Sequence, residues 1–169
     1  MTSSNYIVHH SIPPLFDDNS KILVLGSFPS VKSREETFYY MHPQNRFWPM
    51  LADIFDECTP DTVEKRRIFA LSHRIALFDV VKTCKISGSS DSSLKALEMN
   101  DLSPIFRTAR IKAILVNGRK AYSIFIRNSP DFSCEVFSLP STSPANAAFD
   151  QEYLVKKWGF VLNHCLQSN

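Results

Sequence analysis

Glycine is scarce in this chain, with 4 among 169 residues, and the 10 prolines are scattered. So few glycines exclude a Gly-rich phosphate loop or a GxGxxG turn, and with them the common triphosphate and dinucleotide sites. The same numbers exclude a collagen-like or linker-rich chain. The cysteines Cys58, Cys84, Cys134 and Cys165 form no close pair. Zinc-knuckle and iron–sulfur spacings are therefore absent, and reduced, mostly buried thiols of a cytosolic protein are expected. No apolar run is long enough to span a bilayer. Residues 1–16 have neither the basic region nor the continuous apolar stretch of a signal peptide. The five histidines show no metal-ligand spacing with nearby carboxylates, and His9–His10 reads as a solvated pair near the N-terminus. There is no Ser nucleophile elbow. A soluble cytoplasmic monomer with no metal, no cofactor and no membrane partner is the expectation.

Excess charge is also small: 19 Lys+Arg against 17 Asp+Glu, a net +2. This permits a local nucleic-acid patch without requiring one. Apolar material is plentiful, at 44% hydrophobic residues. That suffices for a buried core and excludes a disordered chain. The length suits a single domain over residues 1–169.

Four short apolar runs read as strands: residues 21–26 (KILVLG), 75–81 (IALFDVV), 112–117 (KAILVN) and 134–139 (CEVFSL). The first three are apolar at nearly every position, the pattern of strands covered on both faces. Between them lie helical stretches. Phe47, Leu51, Ile54 and Phe55 make one stripe, and a second helix around Val63–Leu71 is opened by Pro60 and Asp61. Residues 102–109, 119–126 and 149–165 complete the set, with Gly159 a possible break in the last. The prediction is an α/β fold, a three-layer α/β/α sandwich around a short, mostly parallel four-stranded sheet. Residues 85–93 (KISGSSDSS) read as a polar surface loop.

Ligands of such sheets bind beyond the carboxyl ends of the strands. Three segments there combine the right residue types. Tyr39–Pro49 (YYMHPQNRFWP) gathers aromatics, amides, a histidine and an arginine before a helix. Asn45 reads either as that helix's N-cap, with Phe47 and Trp48 packing, or as an amide that orients a small nucleophile beside a ring stacked on Tyr39 or Tyr40. After the last strand, Leu139–Asn146 (LPSTSPAN) offers hydroxyls and backbone N–H groups suited to phosphate, or a Pro-punctuated turn. After the first, Gly26-Ser27-Phe28-Pro29-Ser30 has a glycine that allows close approach to a ligand, or merely makes a tight turn.

In this order the segments resemble the uracil-DNA glycosylase superfamily, most closely its hypoxanthine-DNA (deoxyinosine) glycosylase branch. The matching text is ILVLGSFPS (22–30), YYMHPQNRFWPML (39–51), IALFDVV (75–81), ILVNGRKAY (114–122) and LPSTSPANA (139–147). HPxNRFW after GSFP is the specific signal. The mismatch-specific uracil/thymine enzymes carry Asn where this chain has Phe28, and Asn begins their second motif where this chain has Leu139. The uracil-specific enzymes carry His at that second position. These departures point away from uracil and toward hypoxanthine.

The resemblance implies a monofunctional base-excision-repair enzyme that hydrolyses the N-glycosidic bond of a flipped, deaminated base in DNA. Asn45 is then the catalytic amide that positions water. Tyr40 stacks the base, Phe28 covers its opposite side, and the backbone at Gly26 and Ser27 stabilises charge on it. Asp79 reads its edge. Ser141, Thr142 and Ser143 grip phosphates, with Arg119, Lys120 and Arg34 meeting the backbone. Two alternatives stay open: a uracil or G:T/G:U mismatch glycosylase of the same fold, and a non-catalytic damage-binding relative.

Overall fold

The computed structural model describes residues 5–87, 94–128 and 131–168. In chain order the elements are β1 (Asn5–His9), β2 (Ile22–Gly26), α1 (Val31–Glu36), α2 (Phe47–Phe55), α3 (Val63–Ser72), β3 (Ile75–Asp79), β4 (Val81–Ser87), β5 (Lys95–Met99), α4 (Ser103–Thr108), β6 (Ala113–Asn117), α5 (Arg119–Asn128), β7 (Glu135–Leu139) and α6 (Gln151–Gln167).

Each of the four apolar runs contributes a strand to one parallel sheet of order β3-β2-β6-β7. Every residue of β2, β3 and β6 is buried, which requires cover on both faces of the sheet. The expected α/β architecture is therefore present.

A second, antiparallel sheet of order β1-β4-β5 has no counterpart in the sequence reading. Its outer strands are mostly exposed, and their apolar stretches, such as Tyr6–Val8, are shorter than the runs of the parallel sheet. Pairings such as Tyr6↔Ile86 join residues far apart in sequence, which periodicity does not report. The run 75–81 is two strands rather than one. At its bend the Val80 and Val81 N–H groups donate to Gly26 O and Ser27 O at 2.8 and 3.0 Å, so the chain leaves one sheet across the end of β2 and enters the other. Lys85–Ser87 belong to β4 instead of a loop; residues 88–93 of that reading lie outside the described residues.

The helices follow the apolar stripes, with α1 added. Thr62, rather than Pro60 or Asp61, caps α3, its side chain accepting from Lys65 N–H. Helix α6 runs through Gly159 without a break. A Cβ there would stand 3.5 Å from Ile54 Cγ1, an ordinary van der Waals contact where α2 and α6 pack. Phe47, Trp48 and Trp158 are fully buried nearby, and ring pairs Phe47–Trp48 and Phe47–Trp158 meet edge to face. Truncating a core aromatic of this kind costs about 3–5 kcal/mol. Among the described residues no helix is long and apolar enough to cross a membrane.

Candidate active site

The parallel sheet begins inside itself. Its first strand, β2, has β3 on one side and β6 with β7 on the other. The chain thus departs in opposite directions from β2, and a crevice opens between the carboxyl ends of β2 and β6. Register places Gly26 beside Asp79 and Asn117 beside Leu139, so these residues form one row across the sheet end. A cavity of about 620 Å³ lies over that row. It is lined by Asn45, Gly26, Ser27, Phe28, Tyr40, Asp79, Arg119, Lys120, Ser141, Thr142 and Ser143, all nominated from sequence, and by Tyr39, whereas Arg34 is not part of its lining. Its size falls in the range of about 300–1,000 Å³ usual for small-molecule sites.

Asn45 precedes α2, whose N-cap position is Arg46 rather than Asn45. Its side chain still serves the helix end: Oδ1 accepts from Phe47 N–H at 2.9 Å. A backbone N–H only donates, so this bond fixes which end of the amide is oxygen. The same Oδ1 accepts from the Thr142 hydroxyl at 3.0 Å. Behind it, Asn117 Nδ2 donates to Thr142 Oγ1 and Asn117 Oδ1 accepts from Thr142 N–H, both at 3.0 Å. The amide oxygen is therefore committed to protein, and Nδ2–H is the end left for the cavity. Arg46 rather than Asn45 holds the N-cap position, and the bond from Phe47 N–H is what orients the Asn45 amide.

Thr142 is fully buried, so its side chain cannot grip a phosphate as the sequence suggested. It holds Asn45 instead. Replacing Thr142 with valine, close in shape but without the hydroxyl, is expected to slow single-turnover excision about tenfold, whereas serine holds within about twofold. Rates measured beside urea midpoints separate this effect from loss of fold.

Asp79, 3% exposed, ends β3. Its Oδ2 lies 2.7 Å from His10 Nε2, with the two side chains 5% and 2% exposed. The expected solvated pair His9–His10 is thus split. His9 is exposed against Thr83 Oγ1, while His10 is packed behind the site, where no sequence pattern links it to a residue 69 positions away. Asp79 Oδ1 accepts from no described residue, and Asp79 lines the cavity. That oxygen occupies the space a side chain at Gly26 would need, since a Cβ there would come within 2.4 Å of it. The close approach that Gly26 permits is therefore that of Asp79 itself.

Tyr40 takes a left-handed backbone conformation, φ 55°, and its ring stacks on Phe47 at 4.0 Å between centroids. One face is thereby covered by protein. Its hydroxyl is buried without a hydrogen-bond partner among the described residues; Asn117 is beside it but outside bonding geometry. Burial, with Asp79 nearby, pushes the Tyr40 hydroxyl far up from the ordinary tyrosine range, so it stays a neutral donor. Tyr39 is spent in the core, its hydroxyl donating to Pro13 O at 2.9 Å. Phe28 is half-buried at the cavity wall, edge-on to His10 at 5.9 Å, with the Arg34 guanidinium 5.6 Å from its ring.

The 140–149 loop is held by residues to which the sequence reading gave no role there. Arg46 donates from Nη1 to Phe149 O and from Nη2 to Ser143 O and Asn146 O at 3.2 and 2.8 Å. Trp158 of α6 donates to Pro140 O at 2.9 Å. Ser141 Oγ accepts from Ser143 N–H, and Ser143 Oγ from Ala145 N–H, each at 3.2 Å. Their hydroxyl hydrogens stay available to an acceptor at the cavity edge. Arg119 and Lys120 are exposed at the start of α5. Gly118, φ 101°, makes the turn into that helix. Lys82, paired with Glu98 at 2.8 Å, and Lys85 do not line the cavity. Among the described residues no three His, Cys, Asp or Glu side chains gather as metal ligands.

This geometry agrees with sequence comparison. The family model described as the uracil DNA glycosylase superfamily matches residues 13–161. The chain belongs to that superfamily. Among its relatives, a hypoxanthine DNA glycosylase of Methanosarcina acetivorans is 33% identical over 94% of this chain and all of its own length. Another hypoxanthine DNA glycosylase, of Methanosarcina barkeri, is 38% identical over 64% of this chain and 70% of its own. A solution NMR structure from Methanosarcina acetivorans, of a protein provisionally described as a uracil DNA glycosylase, superimposes with a TM-score of 0.78. That match is at 33% identity and covers 95% of this chain and 99% of the other. In this superfamily member, HPxNRFW and the 139–147 segment are two walls of one cavity, joined through Thr142.

Proposed function

We propose that this chain is a monofunctional DNA glycosylase that hydrolyses the N-glycosidic bond of an everted deaminated base, hypoxanthine foremost. One observation carries the reading: an acceptor oxygen of Asp79 and a donor amide of Asn45 border the same base-sized cavity. Deamination of adenine turns the N1 acceptor into an N1–H donor. An ionised Asp79 accepts from that hydrogen and repels the lone pair of adenine N1. The names of the two Methanosarcina relatives support the same substrate.

The everted base stacks against the wall that includes Tyr40 and Phe28, an arrangement that holds any planar ring and leaves selection to its edge. The free hydrogens of Ser141 and Ser143, with Arg119 and Lys120, meet the flanking phosphates. Departure of the base leaves an oxocarbenium-like sugar, so water need not be deprotonated before it attacks. Asn45 Nδ2–H holds that water by one oxygen lone pair and leaves the other directed at the anomeric carbon. A neutral amide contributes orientation, not proton transfer. Backbone groups at Gly26 and Ser27 stabilise charge on the departing base. Guanine shares the N1–H of hypoxanthine, and its stronger pairing with cytosine opposes eversion. The reading extends to a cytoplasmic monomer acting on DNA that contains a deaminated or mismatched base.

Duplexes carrying hypoxanthine, uracil, xanthine, thymine, adenine or guanine, treated with enzyme and then alkali, test it. Hypoxanthine is expected to give abasic product at least about 100 times faster than adenine. Strands are expected to stay intact until alkali is added. Faster release of uracil would favour the mismatch-type reading, to which Asp79 also lends itself because uracil N3–H is a donor. Binding with no abasic product would favour a damage-binding protein.

A further inference from the structure

The segment that follows β1 crosses from the antiparallel sheet to the edge of the parallel one. His10 N–H donates to Lys82 O at 2.7 Å, and Leu15 exchanges two 2.9 Å backbone bonds with Leu77 of β3. Between these anchors the His10 ring is packed among Phe28, Tyr39 and Phe78, with centroids 5.9, 6.4 and 5.5 Å away. Ile12 N–H donates to His10 Nδ1 at 3.3 Å. Nδ1 is therefore the bare nitrogen, and Nε2 carries the hydrogen that Asp79 Oδ2 accepts.

We propose that His10 is a specificity-determining positioning residue: its Nε2–H engages Asp79 Oδ2 from behind and presents Oδ1 alone, as a fixed acceptor, to the edge of the bound base. The inference rests on the base-reading role proposed for Asp79. A carboxylate torsion is broad and two-fold, so an untethered Asp79 samples several planes and offers either oxygen. A charge-assisted bond to one oxygen removes that freedom. The neutral ring, enforced by the Ile12 N–H, fixes the carboxylate without neutralising it by a buried positive charge. The N-terminal segment thus becomes part of the selection apparatus, although it never touches the base.

His10→Phe keeps the packed ring and removes the donor; His10→Gln keeps a side-chain N–H. Single-turnover excision is measured on hypoxanthine and adenine duplexes, together with affinity for undamaged duplex and urea midpoints. In parallel, ¹⁵N spectra report which His10 nitrogen is protonated in the wild type and in Asp79→Asn. The hypoxanthine-to-adenine rate ratio is expected to fall about 10- to 100-fold in His10→Phe, with affinity for undamaged duplex unchanged and most of the ratio recovered in His10→Gln. The wild-type ring is expected to carry its hydrogen on Nε2. An unchanged ratio in folded His10→Phe, or equal slowing on both duplexes, overturns the inference, as does a ring protonated on Nδ1. If His10→Phe fails to fold, His10→Gln and the spectra decide. A wild type that releases no base overturns the glycosylase reading instead, and the spectra then decide the His10–Asp79 pairing by themselves.

Discussion

Asn45→Ala is expected to lower the single-turnover excision rate about 10²- to 10³-fold while leaving affinity for damaged duplex within about threefold. The loss follows from the direction of the amide. Phe47 N–H and the Thr142 hydroxyl occupy Oδ1, so Nδ2–H is the end left for the cavity. Asn45→Asp then becomes the informative companion. A carboxylate satisfies the same two donors but turns an acceptor toward the water. If the amide works as a donor, Asn45→Asp is as slow as Asn45→Ala. A variant as fast as wild type, or faster, would mean that the side chain draws a proton from water, and the orientation mechanism would fall. Fluorescence anisotropy with a non-cleavable duplex separates binding from chemistry.

Asp79→Asn is expected to lower the preference for hypoxanthine over adenine about 10- to 100-fold. His10 makes the outcome directional. Its Nε2–H claims the new amide's oxygen, so the NH₂ group turns into the cavity. A donor there opposes the N1–H of hypoxanthine and complements the bare N1 of adenine. The hypoxanthine rate falls and the adenine rate does not fall in step. Competition between the two duplexes in one reaction measures this ratio directly. An unchanged ratio would remove Asp79 from base recognition, whatever happened to the absolute rate.

The parallel sheet was legible because each of its strands is a short apolar run, and residues buried on both faces leave that mark in the sequence. The site was legible for a related reason. Gly26 and Asp79 stand at the carboxyl ends of those strands, where the fold places ligands, and the HPxNRFW text supplied Asn45, whereas Asn117 at the end of β6 was given no role. What escaped was everything set by long-range pairing. Strands β1 and β5 are short, mostly exposed and mixed in polarity, so their pairing with β4 is set by partners elsewhere in the chain. His10 looked like solvated surface because it stands between His9 and Ser11, while its neighbours in space are Asp79 and three aromatic rings. Thr142 lies between two serines of the same loop and was grouped with them. Its burial against Asn45 and Asn117 separates a support for the amide from the Ser141 and Ser143 hydroxyls at the cavity edge. Arg46 was noticed only as part of a motif. Its three carbonyl acceptors show it to be the clasp between the start of α2 and the 140–149 loop.

The most direct measurement is a crystal structure with duplex DNA carrying 2′-fluorinated deoxyinosine, whose fluorine resists formation of the oxocarbenium sugar and so preserves the glycosidic bond. The account predicts the purine everted into the cavity above Gly26, its N1–H within hydrogen-bond distance of Asp79 Oδ1, and Asn45 Nδ2 donating to a water near the anomeric carbon. A base left stacked in the helix, or one everted with N1 turned away from Asp79 and Asn45 out of reach of the sugar, would contradict it.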